Sequence, residues 1–245
     1  MPNAFSRMEI LLGDCGAKKL SRMKIAIFGL GGVGSYAAEA LARCGVACLT
    51  LVDYAAVSVT NINRELYALR STVGKSKVQV AKDRINDIDD GILVNTYETY
   101  YNEDTAAMFD LSSYDYVVDA LDTVSSKLLL IEKAKASGTP IISCMGTVNK
   151  TDPFKFAVSD IFRISACPLV KTMRSELRKR GIHKVKVLYS REKGTKPEET
   201  GYSANGSISF VSGVAGLMIA GTVVRDLLES RENDRESFHR KRKNK

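Results

Sequence analysis

"IAIFGLGGVGSYAAEALARCG", Ile25 to Gly45, runs a β-rich apolar segment into a glycine loop and then into an alanine-rich helix. Gly29, Gly31 and Gly34 fit the spacing G-x-G-x-x-G directly after a strand and at the opening of a helix, with Gly32 between them. Backbone N–H groups and the positive helix end favour an anion there. Asp53 closes the next strand, 19 residues after Gly34, where a carboxylate accepts hydrogen bonds from both hydroxyls of an adenosine ribose. Together they predict an adenine nucleotide; glycines serving only a tight turn and helix packing are the plainer alternative. The loop does not choose between a redox dinucleotide that stays intact and an ATP broken at its α-phosphate.

Outward from this stretch, strands and helices alternate. The pattern predicts a helix over Arg7–Gly13, a strand over Lys24–Phe28, a helix over Gly34–Arg43 and a strand over Ala47–Val52. Next come a helix over Lys75–Asn86, strands over Leu93–Thr99 and Tyr114–Leu121, a helix over Ser125–Ser137 and a strand in "PIISCMG". Beyond Gly146 lie two further strands, "KFAVSD" and "KVKVLYS", around a basic helix over Pro168–Arg180. The expected class is α/β, a Rossmann-like, doubly wound, mostly parallel sheet flanked by helices. Residues 1–230 read as one domain, with an N-terminal arm (1–22) and a basic insertion (168–193). Residues 231–245, charged throughout and ending "HRKRKNK", have too little apolar surface to fold.

The 245 residues carry a formal charge of +8, which suggests an anionic partner. Between Lys171 and Lys193, nine basic residues face two acidic ones, a net of +7. Lys171, Arg174, Arg178, Lys179, Arg180, Lys184 and Lys186 are therefore candidate contacts for nucleic-acid phosphates, with a solvated helix face as the alternative. Five cysteines, never spaced C-x-x-C, point to a reducing, cytoplasmic setting. The N-terminus shows no apolar secretory segment. The apolar stretch Ile208–Val224 is 17 residues long, short of the ~20 a bilayer span needs, so a buried or dimer-interface helix is expected and no membrane association.

The residues beyond Asp53 decide between the nucleotides. Asn61, Asn63 and Arg64 stand 8 to 11 residues after the acid, and Gly74 and Lys77 form a Gly-x-x-Lys. Redox dinucleotide binding requires neither. Cleavage between the α- and β-phosphates builds negative charge on the leaving pyrophosphate, which Arg64 and Lys77 suit, while Asn61 and Asn63 are placed to orient the triphosphate. Asp122 comes after a strand at the rim where open α/β sheets bind ligands, and a carboxylate there can hold magnesium. Asp119, three residues earlier, reads equally as a buried structural acid or a ligand.

As a set, Gly31, Asp53, Asn61, Arg64, Lys77 and Asp122 resemble the signature of the ubiquitin-activating-like (ThiF/MoeB/HesA) adenylation superfamily. That resemblance implies ATP and magnesium as cofactors, a homodimer, and an N-terminal arginine reaching the other subunit's ATP; "FSR", with Arg7, looks like that arm. On this reading, Lys77→Ala is expected to abolish conversion of ATP to AMP and to leave the fold intact. Many relatives carry a zinc on two C-x-x-C pairs or a later catalytic cysteine. This chain has no C-x-x-C and no cysteine after Cys167, so no zinc is expected, and Cys167 reads as a packed thiol before a nucleophile.

The stretches "FSRMEILLG", "DALDTVSSK", "TDPFKFAVSDI", "CPLVKTMRSELRKRGI" and "GSISFV" resemble the superfamily's tRNA threonylcarbamoyladenosine dehydratase branch. The resemblance implies adenylation of the threonyl carboxylate of a modified adenosine beside the tRNA anticodon, then ring closure that expels AMP. A tethered attacking group has an effective molarity of order ~10⁵ M or more, so no enzyme thiol is needed. Sulfur-transfer proteins are a further candidate partner. The alternatives are an activator of a ubiquitin-like sulfur carrier's C-terminus, a nicotinamide-dependent oxidoreductase, and a non-catalytic tRNA-binding protein.

Overall fold

The computed structural model describes residues 4–164, 168–194 and 205–243 of the chain. Seven strands, β1 (Lys24–Phe28), β2 (Cys48–Val52), β3 (Leu93–Tyr97), β4 (Tyr116–Asp119), β5 (Ile141–Cys144), β6 (Phe156–Asp160) and β7 (Lys186–Ser190), form one sheet in the order β3-β2-β1-β4-β5-β7-β6. All neighbours pair in parallel except β6 with β7, which is antiparallel at the edge. The doubly wound, mostly parallel sheet read from the sequence is the fold observed.

Side chains alternate across the pleat, so each strand feeds two cores. Ile25, Ile27, Leu49, Leu51 and Val118 face one layer, built by α2 (Gly34–Ala42), α3 (Lys77–Ile88) and α6 (Ser209–Lys243). Ala26, Phe28, Val117 and Val187 face the other, built by α4 (Val124–Ala136) and α5 (Pro168–Lys179). The run Leu128, Leu129, Leu130, Ile131 on α4 is buried, at ~1.5–3 kcal/mol for each fully buried aliphatic side chain. α5 turns Val170, Met173 and Leu177 inward, the i, i+3, i+7 spacing of a helix with one apolar stripe.

The predicted elements are all present, with ends moved by at most two residues. The exceptions have identifiable causes. α1 (Ser6–Leu20) continues past its expected end, as two helical segments meeting at Gly13, whose φ of 69° breaks the helix. The second segment anchors itself through one buried residue, Leu20, too little periodicity to read from sequence. α6 runs on to Lys243, past the Arg231 boundary at which composition ends the folded domain. Extending an existing helix needs no new nucleus, so a polar sequence continues a buried one at little cost.

α6 crosses α2 almost backbone to backbone. A Cβ on Gly216 would overlap the Val33 carbonyl oxygen and stand 2.7 Å from Tyr36 Cβ and 3.0 Å from the Ala37 nitrogen. Residues Ser209–Glu229 are long and apolar enough to cross a bilayer, yet 56% of the most apolar window is buried within the protein. Val211, Ala215, Ile219 and Val223 are wholly buried there, as a core helix requires.

Because backbone cannot yield as a side-chain tip does, Gly216→Ala is expected to cost ~1–3 kcal/mol in urea unfolding. Gly221, five residues on, has nothing within 4 Å of an added Cβ. Gly221→Ala should stabilise by ~0.5–1 kcal/mol through helix propensity. Equal effects at the two positions would contradict the packing described.

Candidate nucleotide site

The site forms where β1, β2 and β4 end. Phe28, the last residue of β1, is held edge-on by Tyr101 and Phe109, with ring centroids 4.9 and 5.2 Å away. The chain then turns through Gly29 at φ 90°, where a Cβ would stand 2.8 Å from the Ala120 carbonyl carbon. Gly34 opens α2 so close behind that its Cβ would overlap the Gly29 carbonyl oxygen. These approaches leave the amides of the loop and of the first α2 turn facing the carboxyl edge of the sheet, an anion seat.

Asp53, just past β2, accepts from the Leu30 N–H at 2.7 Å with one oxygen and from the Ala55 N–H at 2.9 Å with the other. An ionised carboxylate has about four acceptor positions, so half its capacity fixes the glycine loop and half is left for a diol. Tyr54 beside it stacks edge-on with Tyr100 at 5.1 Å, and the Tyr100 and Thr123 hydroxyls share a 2.9 Å hydrogen bond. This half-exposed aromatic pair closes the flank between the ribose acid and Asp122.

The loop after Asp53 is built on a short 3-10 turn, Val59–Asn61. Asn61 is buried and its Oδ1 accepts from the Ser58 N–H at 2.8 Å, so its oxygen shapes the loop. Asn63 donates from Nδ2 to the Ser207 carbonyl at 2.9 Å and accepts from Arg64 Nη1 at 3.2 Å. Arg64 Nη1 also donates to the Thr60 carbonyl at 2.7 Å. The guanidinium is thereby fixed by one nitrogen beside Gly32, whose Cβ would lie 3.4 Å from Arg64 Cγ. Ser212, on the first turn of α6, borders the same glycine, its Cβ 2.9 Å from one built on Gly32.

Lys77 is not the solvated helix residue that its sequence context permits. Its ammonium lies 3.0 and 2.9 Å from the two oxygens of Glu65, and the side chains are 10% and 5% exposed. Glu65 also stands 3.8 Å from Arg64 Nη2 and 3.8 Å from a Cβ built on Gly31. Burial pushes its carboxyl above the ordinary glutamate value of 4.5, against the pull of Lys77 and Arg64. This contact adds a cost to the expectation for Lys77→Ala: removing one partner of a buried pair typically destabilises by ~3–5 kcal/mol.

Asp119 resolves as a structural acid. Wholly buried, it accepts from Lys127 Nζ at 3.1 and 3.2 Å, from the Leu121 N–H at 3.1 Å, and from the Ser143 hydroxyl. Asp122 is exposed beyond it, just after the Ala120–Leu121 backbone that meets Gly29. Among the described residues, no group of three or more His, Cys, Asp or Glu side chains is placed to hold a metal ion. A lone exposed carboxylate suits magnesium, which takes most of its ligands from water and phosphate. Cys44, Cys48 and Cys144 are pushed by burial above the ordinary thiol range, unlike activated nucleophiles; Cys167 lies outside the described residues.

Gly29, Gly31, Gly32, Gly34, Asp53, Asn61, Asn63, Arg64, Lys77 and Asp122 thus share one edge of the sheet. Arg7 does not join them. α1 starts beside Gly45, where Phe5 stands 3.5 Å from an added Cβ, and Gly45 leads into β2 at the opposite edge. The basic segment is divided as well. α5 begins near Gly146, past the end of β5, and Arg178 ends over the Phe162 ring at 5.5 Å, near the start of β7. Arg174 donates to the Ile164 carbonyl, Lys179 and Arg180 pair with Glu176, and Lys186 turns to Asp226 on α6 in the other layer. Lys171 and Lys184 are exposed.

Glu65, Ser212 and the tyrosine pair escape the sequence reading. Glu65 is the direct neighbour of Arg64, but nothing in a sequence shows that it folds inward onto Lys77. Ser212 is 148 residues from Arg64 and meets the loop only through the α6–α2 crossing.

The sequence model of the ThiF family matches residues 5–244. A tRNA threonylcarbamoyladenosine dehydratase of Bacillus subtilis (strain 168) is 41% identical, over 95% of this chain and 97% of its own. The crystal structure of the Escherichia coli tRNA N6-threonylcarbamoyladenosine dehydratase TcdA with AMP superposes with a TM-score of 0.87 at 29% identity, covering 94% of this chain and 95% of that one. The same enzyme with ATP gives 0.86 at 29% identity, with the same coverage of both chains.

The two aspartates after β4, one paired and buried and one exposed, make separable predictions. Lys127→Met should destabilise by ~3–5 kcal/mol by stranding Asp119, whereas Asp122→Asn should stay within ~0.5 kcal/mol; chemical denaturation of the two variants would read the difference.

Proposed function

The chain belongs to the ThiF family, and we propose that its activity is the ATP-dependent dehydration of threonylcarbamoyladenosine in tRNA. The observation that carries this reading is the placement of Arg64 and Lys77 around the glycine loop that Asp53 anchors, together with likeness to dehydratases over nearly the whole chain. A threonyl carboxylate oxygen attacks the α-phosphorus, the bond to the bridging oxygen breaks, and pyrophosphate leaves. The carbamoyl group of the same nucleoside then attacks the activated acyl carbon. AMP departs with one of the original carboxylate oxygens, so the nucleoside loses the elements of water.

In this scheme the loop amides and α2 hold the α-phosphate, Asp53 the ribose, and Arg64 with Lys77 the charge growing on pyrophosphate. Asn61 and Asn63 keep the Arg64 loop in shape. Asp122 is the residue that would hold magnesium, which supplies further neutralisation of the triphosphate. Arg7, at the far edge of its own subunit, serves the other subunit of a homodimer. Lys171 and Lys184, with the exposed ends of Arg178 and Lys179, meet RNA phosphates; Arg174, Arg180 and Lys186 contribute mainly within the protein. The enzyme works in the cytoplasm, without zinc or a membrane, and the 1–230 unit acts as one domain. Sulfur-transfer proteins remain candidate partners. Activation of a sulfur carrier's C-terminus shares only the first step and would yield no cyclised nucleoside.

Incubating modified tRNA with the protein and ATP, then digesting to nucleosides, should give a product lighter than threonylcarbamoyladenosine by one water. Pyrophosphate release should require that tRNA. Arg64→Ala should lower turnover by ~10²-fold or more. Intact nucleoside with every reactant present would refute the reading. Lys171→Glu and Lys184→Glu should weaken tRNA binding at all sequences and each reduce the slope of log affinity against log salt by about 1.

A further inference from the structure

The two cations assigned to the triphosphate do not stand in a positive pocket. Arg64 and Lys77 share the site with three carboxylates, Asp53, Glu65 and Asp122, and both oxygens of Glu65 are on the Lys77 ammonium. A polyanion therefore meets a seat whose principal lysine is already neutralised. Asp53 is tied to the Leu30 and Ala55 amides and Asp122 faces solvent. Glu65 alone of the three is buried against the floor of the glycine loop, 3.8 Å from the Gly31 Cβ position.

The geometry points to Glu65 as a displaceable counter-ion, a positioning residue that holds Lys77 beneath the glycine loop and yields it to the triphosphate. The partners differ in freedom. Both backbones are fixed, the Glu65 N–H donating to the Asn61 carbonyl at 2.9 Å and the Lys77 N–H to the Ala55 carbonyl at 3.1 Å, but Lys77 reaches the pair on a flexible four-carbon stem, twice the length of the glutamate's. Lys77 can swing towards a phosphate while Glu65 stays, and it returns when pyrophosphate has gone. Glu65 thus weakens ATP binding and favours release of the products. This rests on the proposed ATP chemistry, but its test needs no tRNA.

Calorimetric titration of the full-length protein with ATP, and separately with adenosine, distinguishes a counter-ion from a merely structural pair. Glu65→Gln keeps the size of the side chain and removes its charge. The ATP dissociation constant should fall about tenfold, which is ~1.4 kcal/mol, while adenosine, without phosphates, should change less than about twofold. Glu65→Ala, which leaves room for water beside Lys77, should shift ATP in the same direction and decides the matter if the glutamine variant does not fold. Unchanged or weaker ATP binding in a folded variant, or equal tightening of both ligands, would overturn the inference while leaving the proposed activity standing. Wild-type protein that binds no ATP would overturn both.

Discussion

Three strand ends are locked together by contacts between backbone atoms, and the site exists because they are. Gly34 lies against the Gly29 carbonyl, Gly29 against Ala120, and the Gly29 N–H donates to the Val52 carbonyl at 2.8 Å. No side chain larger than hydrogen fits at the first two positions without pushing backbone aside. α2 is thereby seated directly on the end of β1, with its free amides aimed at the sheet's rim. β4 is brought close enough that Asp122 belongs to the same surface. Backbone amides held in this way need no reorganisation to meet an anion, which is the condition for electrostatic stabilisation to act on a reaction; only the Lys77 side chain has to move.

Two lysine–carboxylate pairs flank that seat, and they show why burial alone does not define a role. Asp119 and Lys127 are closed off from solvent and further satisfied by Ser143 and the Leu121 amide, so their pairing serves the register of β4, α4 and β5. Glu65 and Lys77 are also buried, but against the glycine loop. Pairs of this kind contribute little net stability, because desolvation offsets the attraction. One secures architecture; the other is arranged so that its cation can change partners.

The parts of the fold with strong periodicity or punctuation were legible in the sequence. β1, the glycine loop and α2 can be read from "IAIFGLGGVG" because an apolar run, a required turn and a small-residue helix have few other solutions. α5 is legible from Val170, Met173 and Leu177. The second half of α1 is not, since a single buried leucine leaves no pattern, and neither is the antiparallel sense of β6, which depends on where β7 enters the sheet. The site divides in the same way. Asp53, Arg64, Lys77 and Asp122 could be named because spacing from a recognisable loop places them. Asp119 could not be assigned, because its role depends on Lys127 and Ser143 across two elements. Lys186 read as one of a basic cluster, yet strand alternation turns it through the sheet to Asp226.

The first half of α6 is a rod fastened at three points. Ser212 touches the glycine loop, Gly216 rests on α2, and Asp226 receives the Tyr116 hydroxyl and the Lys186 ammonium. With a rise of ~1.5 Å per residue, the arms on either side of Gly216 are roughly 6 and 15 Å. Tilting about that fulcrum would turn a displacement of the loop into one about two and a half times larger at the far end. A rigid tilt of the last helix started beside β7 would therefore arrive, reduced in amplitude, at the glycine loop.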